Sequence, residues 1–387
     1  MSSVCVWRRH FSRFATKVRQ LSCEHPQTFH VPVMKDEIVR FFDPKPSQVL
    51  LDMTFGAGGH TRALLQQVPD LTCFCLDRDP EFVVHADRLM REYGKTENSF
   101  TTMSGKFSDL PHLCEKHGLK PCSIDMIVMD LGVSSMQLDD RTRGFAFKSD
   151  CALDMRMDGL NSNALTAADV INNLDAPNLA QIFKLYGDVR FARRIANAIL
   201  EHRQTLGPIK STRQLAEVVA SLVPTRTSAL VEKYKQTKYK IHPATQVFQA
   251  LRIFVNDELN ELCVGLEMAH RLLKQSHPSS DAPGGRVAII SFHSLEDRLV
   301  KWALTERSDN SHVGLAFQLA NRSVPNVAAL QRRRHLLREL DPTQHASGPT
   351  EGVQRWKHTI GPLLPTPREI AENPRSRSAK LRAGEKI

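Results

Sequence analysis

The sequence predicts an α/β protein in which a largely parallel, doubly wound sheet is interrupted by an inserted all-helical domain. Four short apolar runs, at residues 49–51, 73–76, 126–129 and 287–292, each end at a polar residue. Runs of this length that are apolar throughout are typical of strands buried on both faces of a parallel sheet. Helical patterns alternate with the first three runs, whereas residues 143–244 show only helical patterns.

The composition is typical of a soluble globular chain that is long enough for one large or two ordinary domains. It has 387 residues, of which 41% are hydrophobic and 24% are charged. Its apolar runs fall well short of the ~20 residues that a membrane-spanning helix needs. The eight cysteines show no Cys-x-x-Cys spacing, so the sequence indicates neither a metal site nor a disulfide framework.

The first 23 residues differ from the rest of the chain. They carry five basic residues and several serines, and no acidic residue precedes Glu24. Four apolar residues from Trp7 to Val18, at helical spacings, form one face of a helix opposite the basic residues. This pattern predicts a mitochondrial presequence, with a disordered basic tail as the alternative. Because these five residues supply half of the formal charge of +10, the remaining charge is only weak support for RNA binding.

The changes in pattern give the predicted domain boundaries. Residues 1–23 are the predicted presequence. Residues 24–142 and 245–372 are expected to form the sheet domain, and residues 143–244 the helical domain inserted into it. Residues 373–387 are rich in arginine and lysine and are expected to form a basic, flexible tail.

The helices are predicted from apolar spacing and from capping residues. In chain order they cover residues 61–68, 77–90, 166–173, 179–185, 190–203, 211–222 and 247–275. The last carries apolar residues at spacings of three and four from Leu259 to Leu273, which predicts one continuous amphipathic helix. Residues 308–352 are expected to be irregular, and the three arginines at 332–334 are interpreted as a solvated helix face.

A glycine-rich turn, Gly-Ala-Gly-Gly-His at residues 56–60, follows the strand that ends at Asp52. A dinucleotide fingerprint would need glycine where Thr61 stands, and the lysine of a P-loop is absent. Strand ends at Asp52, Asp77 and Asp130 around such a turn instead fit S-adenosyl-L-methionine in a class I, Rossmann-like methyltransferase. Asp77 would accept hydrogen bonds from the ribose hydroxyls, beside a backbone that the ligand can approach closely. A tight turn without a ligand is the alternative.

The acceptor side of such a site would begin at Asp130. Asp130 ends its strand and is followed closely by Ser134 and Ser135, while His293 ends the last predicted strand at the same edge of the sheet. An aromatic amine acceptor needs a group that orients the amine and takes up its proton, and each of these four residues is a candidate. His293 has an alternative role, in which it bonds Asp297 and fixes the loop.

Two arginine-containing segments follow the strand that ends at Asp130 and are candidates for RNA contacts. Arg143 lies two residues from Phe145, and Arg156 lies within an acidic stretch. An arginine beside an aromatic ring suits a phosphate contact next to a base-stacking face. The alternative is that Asp–Arg pairs hold a long loop in place.

Several ordered motifs together resemble the RsmH (MraW) family, over about residues 29–307 and the C-terminus. The matching segments are residues 30–34, 52–60, 77–80, 130–139, 143–145, 153–157, 242–245, 248–259, 291–298 and 373–382. The resemblance implies S-adenosyl-L-methionine-dependent methylation of the exocyclic amine of a cytidine in small-subunit rRNA, near the decoding site. With the predicted presequence, it implies a mitochondrial matrix enzyme that acts on 12S rRNA or on the assembling small subunit.

The resemblance also implies roles for individual residues. Family cofactor contacts carry over to Gly58, Gly59, His60, Asp77, Phe107, Asp130 and Gln137. Arg298, Arg375 and Arg377 lie in matching motifs and join the candidates for RNA contacts. The family also has a helical insertion, thought to help hold RNA, where one is predicted here.

The chain departs from the family pattern at a few positions. Gln246 stands where the family has an arginine, residues 151–152 replace a Gly-Pro pair, and Val189 interrupts an acidic pair. The loss of a positive charge at Gln246 puts a phosphate contact in doubt. Two other functions stay open: a ribosome-assembly factor whose methylation is dispensable, and a methyltransferase for a protein or small-molecule amine.

Overall fold

The computed structural model describes seven parts of the chain: residues 31–147, 150–159, 162, 164–222, 244–276, 283–305 and 355–387. The predicted presequence at residues 1–23 lies outside the described residues. So does the expected irregular segment at residues 308–352 with its arginines at 332–334. No helix among the described residues is long and apolar enough to cross a membrane.

Seven strands form one sheet in the described residues. In chain order the strands are β1 (Val49–Asp52), β2 (Thr72–Asp77), β3 (Phe100–Ser104), β4 (Met126–Asp130), β5 (Arg286–Ser291), β6 (Trp356–Leu363) and β7 (Lys380–Lys386). Their order across the sheet is β3-β2-β1-β4-β5-β7-β6. The first five strands pair in parallel, and β7 runs antiparallel between β5 and β6. The predicted α/β fold with a mostly parallel, Rossmann-like sheet is therefore confirmed.

Helices cover both faces of the sheet and form a separate group between β4 and β5. Around the first strands they are α1 (Lys35–Phe42), α2 (Gly59–Gln67), α3 (Phe82–Glu92), α4 (Leu110–Lys116) and α5 (Ser135–Asp139). The central group is α6 (Ala167–Asn173), α7 (Ala176–Gly187), α8 (Ala192–Thr205), α9 (Thr212–Ser221) and α10 (Ala244–Asn256). The remaining helices are α11 (Glu258–Leu272), α12 (Ser294–Thr305) and α13 (Pro367–Glu372).

Burial on both faces explains why the first strands are apolar throughout. Leu50 and Val128 pack in the cluster on one face of the sheet, whereas Leu51 and Ile127 pack in the cluster on the other face. Successive side chains of a strand point to opposite faces, so a strand covered by helices on both sides has no polar face. This burial holds the carboxyl ends of β1, β2 and β4 at one edge.

The helices between β4 and β5 share a hydrophobic core of their own. Phe183, Ile199 and Leu215 are fully buried in this core, and α10 closes it with Leu251. Serine and threonine side chains begin two of the helices, since Ser211 caps α9, as one of two predicted candidates with Thr212, and Thr166, predicted as the first helical residue, caps α6. The boundaries of an inserted domain at residues 143 and 244 stay a prediction.

The expectation of a flexible tail at residues 373–387 is wrong, because residues 380–386 are strand β7 inside the sheet. Three charged residues of this strand, Arg382, Glu385 and Lys386, are buried with partners. Arg382 lies 2.7 Å from Asp297, and Glu385 lies 3.1 Å from Lys357. Lys386 donates a 2.8 Å hydrogen bond to the carbonyl of Leu273. These partners come from distant parts of the chain, which local composition does not reveal.

The single helix predicted over residues 247–275 is also corrected. Helix α10 ends at Asn256 and α11 begins at Glu258, because Asp257 adopts a left-handed conformation with φ of 54°. Asparagine and aspartate tolerate this region better than most residues. The Asn-Asp pair was thus the sequence signal for a break within an otherwise continuous apolar pattern.

Candidate active site

The glycine turn and Asp77 lie side by side at the carboxyl edge of the sheet. The backbone N–H of Gly56 donates a 2.7 Å hydrogen bond to Asp77 Oδ2, and the N–H of Asp79 donates to Oδ1 at 2.9 Å. Parallel pairing of β1 with β2 aligns Asp52 with Cys75, two residues before Asp77. Two separate parts of the predicted site, the turn after β1 and the acid that ends β2, therefore meet.

Gly58 and Gly59 lead the chain from the turn into α2. Gly58 has φ of 75°, and a Cβ there would lie 2.6 Å from the ring of Phe55. A Cβ at Gly59 would lie 2.6 Å from Pro32 Cγ. Any side chain would therefore displace a packed neighbour at either position. The first N–H groups of a helix lack partners within the helix, so this turn offers donors to a ligand.

Asp77 is half-buried at the crevice between the glycine turn and the ends of β2 and β4, and its carboxyl group is strongly desolvated by the surrounding protein. This burial raises the pKa of Asp77 to about 6, and the hydrogen bonds from the Asp79 and Gly56 backbone oppose the rise only in part. Asp77 therefore lies beside the glycine turn, and its ionisation is sensitive to pH near 6.

Asp52 does not face the crevice, although the sequence suggested three acids there. It is 1% exposed. Its oxygens accept hydrogen bonds from the hydroxyl of Thr61 at 2.7 Å and the N–H of Thr54 at 3.2 Å. Burial raises the pKa of Asp52 above its ordinary value. Asp52 supports the glycine turn through Thr54 and Thr61 and is not positioned to contact a ligand.

Asp130 and His60 lie together at the next strand end. Asp130 Oδ2 is 3.5 Å from His60 Nε2, and the backbone N–H of Asp130 donates a 2.6 Å hydrogen bond to Thr54 Oγ1. Among the described residues, neither ring nitrogen of His60 has a hydrogen-bond partner, and Asp130 Oδ1 also lacks one. Buried polar atoms are nearly always paired in folded proteins, so His60 and Asp130 are candidates for contact with a ligand.

Ser134, Ser135 and Gln137 form the short turn of helix that follows Asp130. Ser134 begins α5 with a reciprocal capping arrangement: its hydroxyl accepts from the Gln137 N–H, and the Gln137 side-chain oxygen accepts from the Ser134 N–H. The Gln137 amide donates to Asp79 at 2.7 Å and to the carbonyl of Met157 at 3.3 Å. The predicted residues Ser134 and Gln137 are therefore brought to the same crevice as Asp77.

Phe107 lies at the end of β3 and packs against α11. A Cβ at Gly265 of α11 would lie 2.7 Å from the Phe107 ring. The carboxylate of Glu261, one helical turn earlier, accepts hydrogen bonds of 2.9 Å from the N–H and the hydroxyl of Ser108. The position of Phe107 thus depends on a close helix approach and on a half-buried acid, Glu261, neither of which the sequence patterns indicated.

His293 begins helix α12, and its expected alternative partner is corrected. His293 Nδ1 accepts a 3.4 Å hydrogen bond from the Glu296 N–H, and Nε2 lies 3.0 Å from Glu296 Oε1. The other oxygen of Glu296 accepts from the His293 N–H at 3.3 Å. Asp297, the expected partner, instead pairs with Lys380 and Arg382. Both ring nitrogens of His293 therefore face Glu296, an arrangement that stabilises the start of the helix.

The sequence profile of the MraW methylase family matches residues 27–387, nearly the whole chain and every residue of the crevice. The chain belongs to this family. The crevice is therefore the candidate active site of a methyltransferase. Its strand ends carry Asp77 and Asp130, two of the residues to which the motif resemblance assigned cofactor contacts.

Three relatives of this MraW methylase show how far the similarity extends. The 12S rRNA N(4)-cytidine methyltransferase METTL15 of Mus musculus is 42% identical over 362 residues, covering 92% of this chain and 82% of the relative. A probable methyltransferase-like protein 15 homolog of Drosophila melanogaster is 37% identical over 372 residues, covering 95% and 96%. The ribosomal RNA small subunit methyltransferase H of Beijerinckia indica is 41% identical over 355 residues, covering 92% and 84%.

The candidate RNA contacts of this MraW methylase fall into an interior group and an exposed group. The prediction that the interior group, Arg143, Phe145 and Arg156, contacts RNA is corrected. Arg143 is 2% exposed and lies 2.9 Å from Asp79. Arg156 pairs with Asp154 at 2.7 Å, and Phe145 packs against the core of the helical group. Since Arg143 is sealed from solvent and Arg156 is already paired, these arginines hold the loop after β4 in place, which was the alternative that the sequence left open.

The other three arginines are exposed. Arg298 lies on α12, while Arg375 and Arg377 lie in the short turn of helix Pro374–Ser378. Arg375 pairs with Asp139 at the end of α5, one Nη1–Oδ2 distance being 3.2 Å. This exposed pair brings the C-terminal segment next to the helix that follows Asp130, so Arg375 stays a candidate for an RNA contact.

Two further residues, Asn256 and Asp158, hold the walls of the crevice together, and the sequence patterns did not indicate them. Asn256 ends α10 and is buried. Its side chain accepts a 2.8 Å hydrogen bond from the Met157 N–H and donates to the Met155 carbonyl at 2.7 Å. Asp158 bridges Arg78 and Lys106, the neighbours of Asp77 and Phe107, with an Nζ–carboxylate distance of 2.9 Å to Lys106. The sequence signal for Asn256 was an asparagine at the end of an apolar helical pattern.

The departures from the family pattern have simple structural settings. Gln246 is exposed on the first turn of α10, so the change costs no buried interaction. Val189 is 4% exposed within the helical core, which explains an apolar residue between charged neighbours. Ala152 pairs with Ser211 through an isolated β-bridge, a backbone interaction that does not depend on the side chain.

Proposed function

We propose that this chain transfers a methyl group from S-adenosyl-L-methionine to the exocyclic N4 amine of a cytidine in small-subunit rRNA. The observation that carries the proposal is the 2.7 Å hydrogen bond between the Gly56 N–H and Asp77, which joins a glycine turn to a ribose-binding acid. Membership of the MraW methylase family supports the reaction class. The name of the mouse relative supports cytidine N4 as the acceptor.

The residues of the crevice fit S-adenosyl-L-methionine, which when bound supplies a methyl group on a positively charged sulfur. A glycine backbone allows close approach of a ligand, and glycine is retained at positions 58 and 59 by the packing of Phe55 and Pro32 against the turn. Asp77 is assigned to the ribose hydroxyls, and Phe107 and Gln137 to the walls around the adenosine. The unpartnered atoms of His60 and Asp130 supply polar groups that a bound ligand and acceptor would complete.

Asp130 is the residue we assign to the acceptor amine. The lone pair of a cytidine amine is delocalised into its ring, so a hydrogen-bond acceptor must orient the N–H and then take up the proton. Among the described residues, Asp130 Oδ1 has no hydrogen-bond partner, whereas the Ser134 hydroxyl already caps α5. His293 Nε2 also lacks a hydrogen-bond partner there, but it lies 3.0 Å from the Glu296 carboxylate, which holds it by charge. Asp130 is therefore preferred over Ser134, Ser135 and His293. As the methyl carbon bonds to N4, the N4 proton passes to Asp130.

We infer that the substrate is mitochondrial 12S rRNA, naked or within an assembling small subunit, and that the enzyme works in the mitochondrial matrix. The presequence pattern of residues 1–23 and the 12S rRNA named for the mouse relative support this location. The exposed residues Arg298, Arg375 and Arg377 are assigned to RNA phosphates. Such contacts fix position along RNA and make binding weaken as salt increases.

The test is methyl transfer followed by identification of the modified nucleoside. Purified protein is incubated with S-adenosyl-L-methionine carrying a labelled methyl group and with small-subunit RNA, which is then digested to nucleosides. Label in N4-methylcytidine is the expected result. Label in protein, in a small amine or in another nucleoside would overturn the proposed acceptor.

A second measurement separates an enzyme from an assembly factor whose methylation is dispensable. Cells that lack the protein are supplied with the wild type or with Asp130→Asn, and small-subunit assembly is followed by sedimentation. Incomplete rescue by Asp130→Asn is expected. Full rescue without N4-methylcytidine would show that binding, not methylation, is the required activity.

A further inference from the structure

Buried polar atoms without partners are concentrated at one point in the described part of the chain. Five buried side-chain nitrogen or oxygen atoms there lack a hydrogen-bond partner, and three of them belong to His60 and Asp130. An unpaired buried polar atom costs free energy, so a cluster of three calls for a functional reason. The cluster lies at the end of β4 and includes Asp130, the residue assigned to the acceptor amine.

The charged groups around His60 favour a proton that is shared between His60 and Asp130. His60 is 6% exposed, and its Nε2 lies 3.5 Å from Asp130 Oδ2 without the alignment of a hydrogen bond. The charged groups that face it are Asp130 and Asp52, and the start of helix α2 adds a positive partial charge. Burial alone would lower the pKa of His60, but the two carboxylates raise it above its ordinary value.

Asp52 influences His60 only through its charge. Both Asp52 oxygens are already hydrogen-bonded, to the Thr61 hydroxyl and to the Thr54 N–H. Asp130, in contrast, has one buried oxygen without a hydrogen-bond partner among the described residues, and its other oxygen lies 3.5 Å from the imidazole. A proton that reaches the Asp130 carboxyl group therefore has a base next to it inside the protein, the imidazole of His60.

We propose that, within the methyl-transfer step itself, His60 receives from Asp130 the proton that the acceptor amine loses, so that Asp130 remains a carboxylate as the new bond forms. The inference rests on the proposed function and adds a proton relay to it. N4 bonds to the methyl carbon while the carbon–sulfur bond breaks and its electron pair stays on sulfur. The N4 proton moves to Asp130 and then to His60 Nε2. The resulting imidazolium later gives the proton to water, so charge and atoms balance.

In this scheme His60 acts through Asp130 and is a positioning and relay residue. The family resemblance assigned His60 to the cofactor through its place in the glycine turn, and the relay concerns its side chain. A side chain needed only for cofactor binding would alter affinity. A relay residue would instead alter the pH dependence of the chemical step.

The primary test uses His60→Gln in the full chain under single-turnover conditions with saturating S-adenosyl-L-methionine. We expect the methylation rate to fall by about 100-fold, and its rise with pH to disappear, since general-base steps contribute on the order of 10²-fold or more. Cofactor affinity, measured by calorimetry, should fall far less than the methylation rate. His85→Gln, a change of a partly buried histidine on α3, should keep the wild-type rate and profile.

Two results would overturn the relay. One is a His60→Gln enzyme with the wild-type rate and pH profile. The other is a slower enzyme whose pH profile is unchanged, or whose loss follows a loss of cofactor affinity, since either indicates a structural role. If wild-type protein forms no N4-methylcytidine, the proposed function fails before the relay is tested.

A second measurement leaves His60 in place, in case His60→Gln does not fold. The imidazole resonances of histidine-labelled protein are titrated by NMR, and those of His60 are compared between wild type and Asp130→Asn. The titration midpoint of His60 should fall when the neighbouring carboxylate is removed. An unchanged midpoint would show that the two side chains do not share a proton.

Discussion

Gln137 donates a 2.7 Å hydrogen bond to Asp79, and this contact ties the helix after β4 to the segment that follows Asp77. The same Asp79 oxygen lies 2.9 Å from Arg143. Asp79 therefore joins the cofactor side of the crevice to the loop that follows the acceptor side. All three side chains are buried, so the arrangement of the crevice depends on their pairing.

Removing Asp79 is expected to destabilise the fold strongly. In Asp79→Ala the buried guanidinium of Arg143 would lose its carboxylate partner, and a broken buried ion pair costs about 3 to 5 kcal/mol. Urea denaturation followed by circular dichroism would measure the loss. The matched control is Asp139→Ala, which breaks an exposed pair with Arg375 and should cost at most about 1 kcal/mol. Equal losses in the two variants would contradict the structural role of Asp79.

Changing Asp77 is expected to weaken cofactor binding in a pH-dependent way. Asp77→Asn should lower the affinity for S-adenosylhomocysteine by ~1 to 3 kcal/mol, because hydrogen bonds to a charged acceptor are lost. Wild-type affinity should also fall as the pH drops through about 6, where the carboxylate is protonated. Calorimetry at several pH values tests both effects, with the exposed Asp70→Asn as control. A pH-independent wild-type affinity would remove Asp77 from the ribose role.

The same raised pKa has the opposite effect on the stability of the unliganded protein. A group whose pKa is higher in the folded state adds stability below its unfolded pKa, here 3.8, and this contribution is lost as the pH rises through about 6. Relative to wild type, Asp77→Asn should therefore become more stable as the pH rises from 4 to 7. A stability difference that does not change over this range would show that Asp77 is not desolvated.

Asp130→Asn is expected to slow methyl transfer much more than it weakens cofactor binding. The amide keeps the shape of the side chain but is a poor proton acceptor, and loss of a general base typically lowers rates by about 10² to 10⁴-fold. Rapid-quench measurement of a single turnover isolates this step from product release. A variant with a near-normal single-turnover rate would exclude Asp130 as the proton acceptor.

Gly265→Ala is expected to disturb the cofactor site from outside the crevice. The new methyl group would lie 2.7 Å from the Phe107 ring, which must then shift. Overpacking of this kind costs about 1 to 3 kcal/mol in stability, and affinity for S-adenosylhomocysteine should fall with it. Cys263→Ala, on the same helix, provides a control without overpacking. Wild-type affinity in Gly265→Ala would show that Phe107 is not part of the cofactor site.

Deletion of residues 1–23 is expected to abolish import into mitochondria. These residues carry the basic, acid-free pattern of a presequence. Fluorescence microscopy of a fusion protein with and without the segment measures the effect. Continued import of the shortened protein would mean that the targeting signal lies elsewhere in the chain.

The parts of the site that the sequence predicted are those encoded by local pattern. The apolar runs before Asp52, Asp77 and Asp130 predicted three strands, because burial on both faces leaves no polar side. The glycine turn predicted a close backbone approach, and the order of the strands brought its Gly56 to Asp77. Each of these inferences needs only a few consecutive residues and the general rules of parallel sheets.

The parts that were missed or wrong depend on partners far away in the chain. Residues 380–386 appeared to be a basic tail, but Asp297 and Lys357 neutralise Arg382 and Glu385 inside the sheet. Arg143 appeared to be a phosphate ligand because its partner, Asp79, lies beyond β2. His293 appeared to be a base, although the His-x-x-Glu spacing was a local sign of a helix cap.

The most direct measurement is a crystal structure of the protein with S-adenosylhomocysteine. The ribose hydroxyls should lie within hydrogen-bonding distance of Asp77, the amino-acid portion along the turn at Gly58, and the sulfur on the side of Asp130. A product bound with its ribose away from Asp77 would contradict the assigned site. So would a product in the groove of about 440 Å³ that Phe41, Arg286 and Leu381 line elsewhere on the sheet.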